Sequence, residues 1–208
     1  MSEEKEINDK NYQQYTASFV KGLEVIRAFD KEDTHMTLSE LALKLDYHRA
    51  TARRFLYTLM TLGYVKKNKK HFTLTPKVLE LGYRYFASVH WVDLAQDYMN
   101  EIVQKVKLSC SLAILDEESI TCIARVPITR IMSEAIHVGT RLPAVYSATG
   151  RVYMAHMEDE ELKAYIDKLT LKKYTTQSIT DKQILFDTIQ ANKGNTCQYV
   201  EEELEEGL

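Results

Sequence analysis

Two closely spaced stretches constrain the fold more than any other part of this chain: TLSELALKL, residues 37–45, and HRATARRFLYTL, residues 48–59. Thr37 and Glu40 stand three apart, as N-cap and N3 of a capping box, in which each residue satisfies an amide that the helix start leaves unpaired. The helix so opened carries Leu38, Leu41, Ala42 and Leu45 at i, i+3, i+4 and i+7, one apolar stripe. A short turn, Asp46-Tyr47-His48, leads into a second run with Ala52, Phe55, Leu56 and Leu59 on its inner face, ending at Gly63. An earlier helix over residues 18–29 shows Phe19, Leu23 and Ile26 on one side. Two β-type runs follow, Tyr64–Lys66 and His71–Leu74, joined by the polar turn Lys67-Asn68-Lys69-Lys70. Three helices and a basic hairpin form the pattern of a winged helix-turn-helix.

The outer side of the third helix, with its N-terminal approach, presents His48, Arg49, Thr51, Arg53 and Arg54. A helix-turn-helix lays the start of its second helix in the major groove while the first crosses the backbone, which also brings Ser39 toward the duplex. Arg donates bidentately to guanine, and Thr bonds base edges or touches a thymine methyl. Lys67 and Lys69 of the hairpin are positioned to follow phosphates. Charge agrees with this division of labour. Between residues 18 and 86 thirteen cations oppose seven anions, a net +6, whereas residues 87–208 carry −7. A basic front on an acidic rear suits a polyanion partner. The alternative is a ligand-binding module whose basic surface meets RNA or an acidic protein.

Thr75-Pro76 opens another helix, with Thr at N-cap and Pro at N1. A second helical stretch, 91–107, shows Trp91, Leu94, Ala95, Tyr98, Ile102 and Val106. Strands are predicted at 111–115, 120–126, 130–136 and 196–200, with helices near 159–169 and 181–193. Between them lies VGTRLPAVYSATGRVYMA, a loop running into a helix. Ser147 is its predicted N-cap, so Ala148, Thr149 and Gly150 form a first turn whose amides lack intrahelical partners and carry the positive end of the dipole. Small side chains let a ligand approach that backbone, and the site suits a carboxylate. Arg151 is either a counter-ion there or an exposed cation. The acidic end, Glu201–Glu206, reads as a solvated face.

Other chemistries find little support. The stretch around Ser147 reads Y-S-A-T-G and lacks a nucleophile elbow. The six His are scattered without an HExxH pair, and no phosphate loop is present, so no catalysis, metal or cofactor is expected. Cys110, Cys122 and Cys197 are widely spaced, as for reduced core thiols. No apolar run approaches the ~18–20 residues of a membrane span, and the N-terminus is acidic, which predicts a cytoplasmic protein.

Taken in order, SFVKGLEVIRAF, MTLSELA, HRATARRFLYTL, LGYV, FTLTPKVLELG and VGTRLPAVYSATGRVYMA resemble the isocitrate-lyase-regulator (IclR) family of bacterial transcription factors. CSLAILDEESITCIARVP, RIMS and TRLPA with the following GR are similar to its regulators of protocatechuate, 4-hydroxybenzoate and β-ketoadipate catabolism. The resemblance implies an α+β chain. A winged helix-turn-helix (15–76) would bind double-stranded operator DNA, a helical linker (77–91) would follow, and an effector-binding α/β domain (92–208) would be incomplete at its C-terminus. It implies a small organic-acid effector, with Leu142, Ala148 and Thr149 at family pocket positions, and a homodimer or dimer of dimers. It also places the acidic end near the pocket. Two departures stand out: His48 replaces the family's usual Ser or Thr, and Asp46 its turn Gly.

Overall fold

The computed structural model describes residues 16–89, 91–128 and 136–207. The chain divides into two compact units at residues 89 and 90.

In the first unit, α1 (Ala17–Arg27), α2 (Leu38–Lys44) and α3 (Arg49–Thr61) enclose Val25, Leu41, Ala42, Ala52, Leu56 and Leu59. The capping box forms in full: Glu40 N–H donates to Thr37 Oγ1 at 3.3 Å, and Thr37 N–H to Glu40 Oε2 at 2.7 Å. Asp46 takes φ 53°, the left-handed conformation for which Asp is better suited than most side chains. It therefore does the work of the family glycine, and Tyr47 N–H turns back to donate to Ala42 O at 2.8 Å.

The rotation of α1 differs from the sequence reading. Val25 and Ala28 are buried, whereas Phe19 and Leu23 lie exposed. Gly22 faces Phe55 of α3, so the small side of α1 packs inward and its bulkier residues turn out.

The wing is an antiparallel hairpin of β2 (Val65–Asn68) and β3 (His71–Leu74), in register Val65↔Leu74 and Lys67↔Phe72. Its turn is tighter than the sequence suggested, since Lys67 and Asn68 belong to β2 and Lys69 makes the reversal at φ 55°. A two-residue β1 (Met36–Thr37) adds to β3 through Met36↔Phe72. Beyond the wing, Thr75 caps a 3-10 turn, Pro76–Val78, that runs into α4 (Leu79–Phe86). Three bonds tie this exit to the end of α3: Thr75 N–H to Tyr64 O (2.9 Å), Thr75 Oγ1 to Gly63 O (2.6 Å) and Lys77 Nζ to Leu62 O (3.0 Å).

The second unit begins with α5 (Trp91–Val106), which packs on the sheet of β4 (Cys110–Asp116) and β5 (Ser119–Val126). Its inner face holds Val92 and Met99, one residue out of phase with the expected stripe, so Trp91, Leu94, Tyr98 and Ile102 are exposed. Both sides of this helix are apolar, and the sheet takes the one with smaller residues. A strand that sequence reading missed, β6 (Arg141–Pro143), pairs with β5 through Ile120↔Leu142, giving the order β4-β5-β6. A 3-10 turn, Ala144–Tyr146, then leads into α6 (Ala148–Ala155). With α7 (Asp159–Lys168) and α8 (Lys182–Ala191) it buries Met154, Leu162, Ile166, Leu185 and Ile189.

The strand expected at 130–136 falls almost wholly outside the described residues. No strand forms at 196–200, where the chain makes no ladder pairing with the described residues. A run of suitable composition becomes a strand only where a neighbour offers its backbone.

Candidate functional site

The third helix starts without a side-chain cap. His48 occupies the N-cap position with φ −56° and ψ 134°, and its carbonyl takes the amides of Thr51 (2.8 Å) and Ala52 (3.1 Å). Its imidazole makes no capping bond and stands exposed, in line with the weaker capping expected there. Arg49, Arg53 and Arg54 are exposed, Thr51 is half-buried, and Ser39 is exposed near the start of α2. Lys67 and Lys69 are exposed on the wing.

What separates these cations from their neighbours is commitment. Lys44 bonds Asp30 (2.5 Å) and Asp33 (2.7 Å). Those bonds raise its pKa and, with backbone amides, hold the Asp30 carboxyl below the usual carboxylate range. Lys77 is spent on the Leu62 carbonyl at the end of α3. Among the described residues, Arg49, Arg53 and Arg54 enter no ion pair. The first turns of α3 and the wing thus keep positive charge that no carboxylate among the described residues neutralises, on a firmly packed frame, as a phosphate-bearing partner requires.

In the second unit, Ser147 caps α6 as expected: its Oγ accepts the Gly150 amide at 3.0 Å and donates to Ala144 O at 3.0 Å. The amides of Ala148 and Thr149 make no bond to the described residues, and β6 with Leu142 leads directly into this junction. Gly150 has a different reason for its size from the one first read. A Cβ there would lie 2.1 Å from Ala144 O, so its lack of a side chain admits the preceding 3-10 turn.

Arg151 is 3% exposed, which overturns the reading of an exposed cation. Its Nε donates to Val145 O at 2.9 Å and its Nη2 to both oxygens of Glu203, at 2.8 and 2.7 Å. Its charge is answered inside the protein rather than by a ligand. Glu203 is correspondingly buried, so the acidic end is not uniformly a solvated face. The segment is further held by Thr175 Oγ1 on Glu202 O (2.5 Å) and Ser178 Oγ on Glu203 O (2.6 Å). Sequence reading missed this clasp, because no local spacing links residues 52 positions apart.

Comparison with known proteins draws the two halves together. The profile of the IclR helix-turn-helix domain matches residues 18–69, and that of the bacterial transcriptional regulator IclR C-terminal domain matches residues 83–208. The chain belongs to the IclR family. It is 34% identical over 195 residues to the Pca regulon regulatory protein of Pseudomonas putida, covering 93% of this chain and 67% of that protein. It is 31% identical over 199 residues to the p-hydroxybenzoate hydroxylase transcriptional activator of Acinetobacter baylyi, covering 93% and 73%. A crystal structure of a transcriptional regulator from Rhodococcus sp. RHA1 superposes with a TM-score of 0.78 at 44% identity, covering 93% of this chain and 77% of that one. As an IclR-family member the chain is a DNA-binding transcriptional regulator, and α3 lies within the matched helix-turn-helix. No helix among the described residues is long and apolar enough to cross a membrane.

Proposed function

We propose that this IclR-family regulator controls genes of aromatic-acid catabolism and responds to a small aromatic carboxylate. The observation that carries the reading is the similarity, over nearly the whole chain, to relatives named for the Pca regulon and for p-hydroxybenzoate hydroxylase. In this reading Arg49, Thr51 and Arg54 enter the major groove, with Ser39, His48, Arg53, Lys67 and Lys69 on its flanks. The effector carboxylate lies against the amides of Ala148 and Thr149 at the start of α6, beside Leu142. Ser147 and Gly150 shape that junction, and Arg151 anchors the helix from behind.

The winged head (15–76) is joined by a linker (77–91) to the effector domain (92–208), and the protein works in the cytoplasm as a homodimer or dimer of dimers. Exposed Leu79, Leu81 and Tyr85 on α4, and Trp91 on α5, support association. In a two-fold dimer the reading helices stand ~34 Å apart on a pseudo-palindrome. An effector acts only by favouring one arrangement of the paired heads over another.

A thermal-shift screen of protocatechuate, 4-hydroxybenzoate, β-ketoadipate, glyoxylate and pyruvate tests the effector. A ligand present at a hundred times its Kd stabilises the folded state by about 2.7 kcal/mol, a readily measured rise in melting temperature. A rise with one of the aromatic acids supports the proposal, and the absence of any response overturns it.

A further inference from the structure

The outer face of α3 carries an aromatic residue that the reading of charged groups leaves unused. Tyr57 is exposed and lies one turn beyond Arg53, on the same side of the helix. The Arg53 guanidinium stands 5.3 Å from the centre of its ring. Lys67 reaches the same ring from the wing, its ammonium 6.0 Å from the centroid and 5.5 Å from that of Phe72.

The strand pattern explains the second contact. Side chains alternate along β2, so Lys67 shares a face with buried Val65 and lies opposite Phe72 in the register. Lys67, though exposed, therefore leans between wing and helix rather than projecting from the hairpin tip. Two cations from two elements, neither in an ion pair among the described residues, converge on one ring.

We propose that Tyr57 is a positioning residue for DNA binding: its ring holds Arg53 of the reading helix and Lys67 of the wing as one fixed cationic pair that grips the phosphate backbone beside the groove. Both side chains are long and rotamer-rich, so fixing them before the complex forms removes an ordering cost that binding otherwise carries. The same contact bridges α3 and the wing at their exposed edge. The inference rests on the nucleic-acid reading of this face and adds to it a group that acts through its neighbours.

The test uses the full chain and a mixed-sequence duplex of about 30 base pairs, long enough for two half-sites a helical turn apart. Two ringless variants, Tyr57→Leu and Tyr57→Gln, should both bind about 5- to 30-fold more weakly, the equivalent of two exposed cation–π contacts. Tyr57→Phe keeps the ring and should bind like the wild type. In an Arg53→Ala/Lys67→Ala background, Tyr57→Leu should change affinity by less than about twofold, since the groups it acts through are gone. Melting temperatures recorded in parallel identify any variant weakened by unfolding, and the agreement of the two ringless variants covers that case.

Unchanged or tighter binding by both ringless variants overturns the proposal. So does an equal loss in Tyr57→Phe, which would make the hydroxyl a direct DNA contact, or full additivity in the triple variant. Failure of the wild type to bind the duplex overturns the nucleic-acid reading and this inference with it. Wild-type binding with insensitive variants overturns this inference alone.

Discussion

Arg151 and Glu203 meet inside the second unit, guanidinium to carboxylate at 2.7 and 2.8 Å, with 52 residues of chain between them. The pair joins the first turn of α6 to the segment after α8. Charges placed this deep gain from each other only while both are present, because each alone is left in a medium that solvates it poorly.

Glu203→Ala should therefore cost about 3–5 kcal/mol by stranding Arg151. Replacing both partners with apolar residues of similar size, Arg151→Met with Glu203→Leu, should recover most of that loss. Urea unfolding of the two variants checks the difference. A double variant as unstable as the single one would argue against an ion pair as the source of the cost.

Gly150 and Gly82 make an opposed pair. Gly150→Ala drives a methyl against the backbone of Ala144 and should destabilise by more than about 2 kcal/mol, in the range of core overpacking. Gly82 lies within α4 with nothing within 4 Å of a built Cβ, so Gly82→Ala should raise stability by about 0.5–1 kcal/mol through helix propensity. Melting curves of the two variants should move in opposite directions.

For DNA recognition, Arg49→Ala and Arg54→Ala should each weaken binding to a duplex selected from a random pool by about 1–3 kcal/mol, if the side chain reads a base edge. Binding to single-stranded RNA should hardly change. A uniform loss on both polyanions would show a purely electrostatic surface, with a salt slope reduced by ~0.9 for each phosphate contact removed.

At the start of α2, the Thr37 amide and hydroxyl hold the Glu40 carboxyl below its ordinary pKa. A depressed folded-state value means that the stabilisation is present above the unfolded pKa and disappears as pH falls through the folded one. Glu40→Gln should thus be less stable than wild type near neutrality, and the gap should close in acid. Thr37→Ala should cost about 1 kcal/mol at neutral pH. Stability curves at several pH values distinguish the two.

What sequence reading recovers here is what short-range chemistry decides. The capping box at Thr37, the turn at Asp46, the stripe of Ala52, Leu56 and Leu59 and the Ser147 cap all depend on residues within two turns of one another. The misreadings have a common cause as well. α1 and α5 are apolar on two sides, so periodicity does not choose between Phe19 and Val25, or between Leu94 and Met99; packing against Phe55 or against the sheet does. β1 and β6 span two and three residues and exist because β3 and β5 present unpaired backbone. Gly150 reads as ligand access until Ala144 is seen against it. The burial of Arg151 depends on a glutamate that only the folded chain brings near.

The bonds from Thr75 and Lys77 to Leu62, Gly63 and Tyr64, just past the end of α3, have a mechanical result. The segment that leaves the head is stapled to the turn that closes α3, Leu62 to Tyr64, so the start of α4 is held at a fixed place beside that turn. A force on the start of α4 therefore has a direct path to α3 through these three bonds, none of which involves the wing turn.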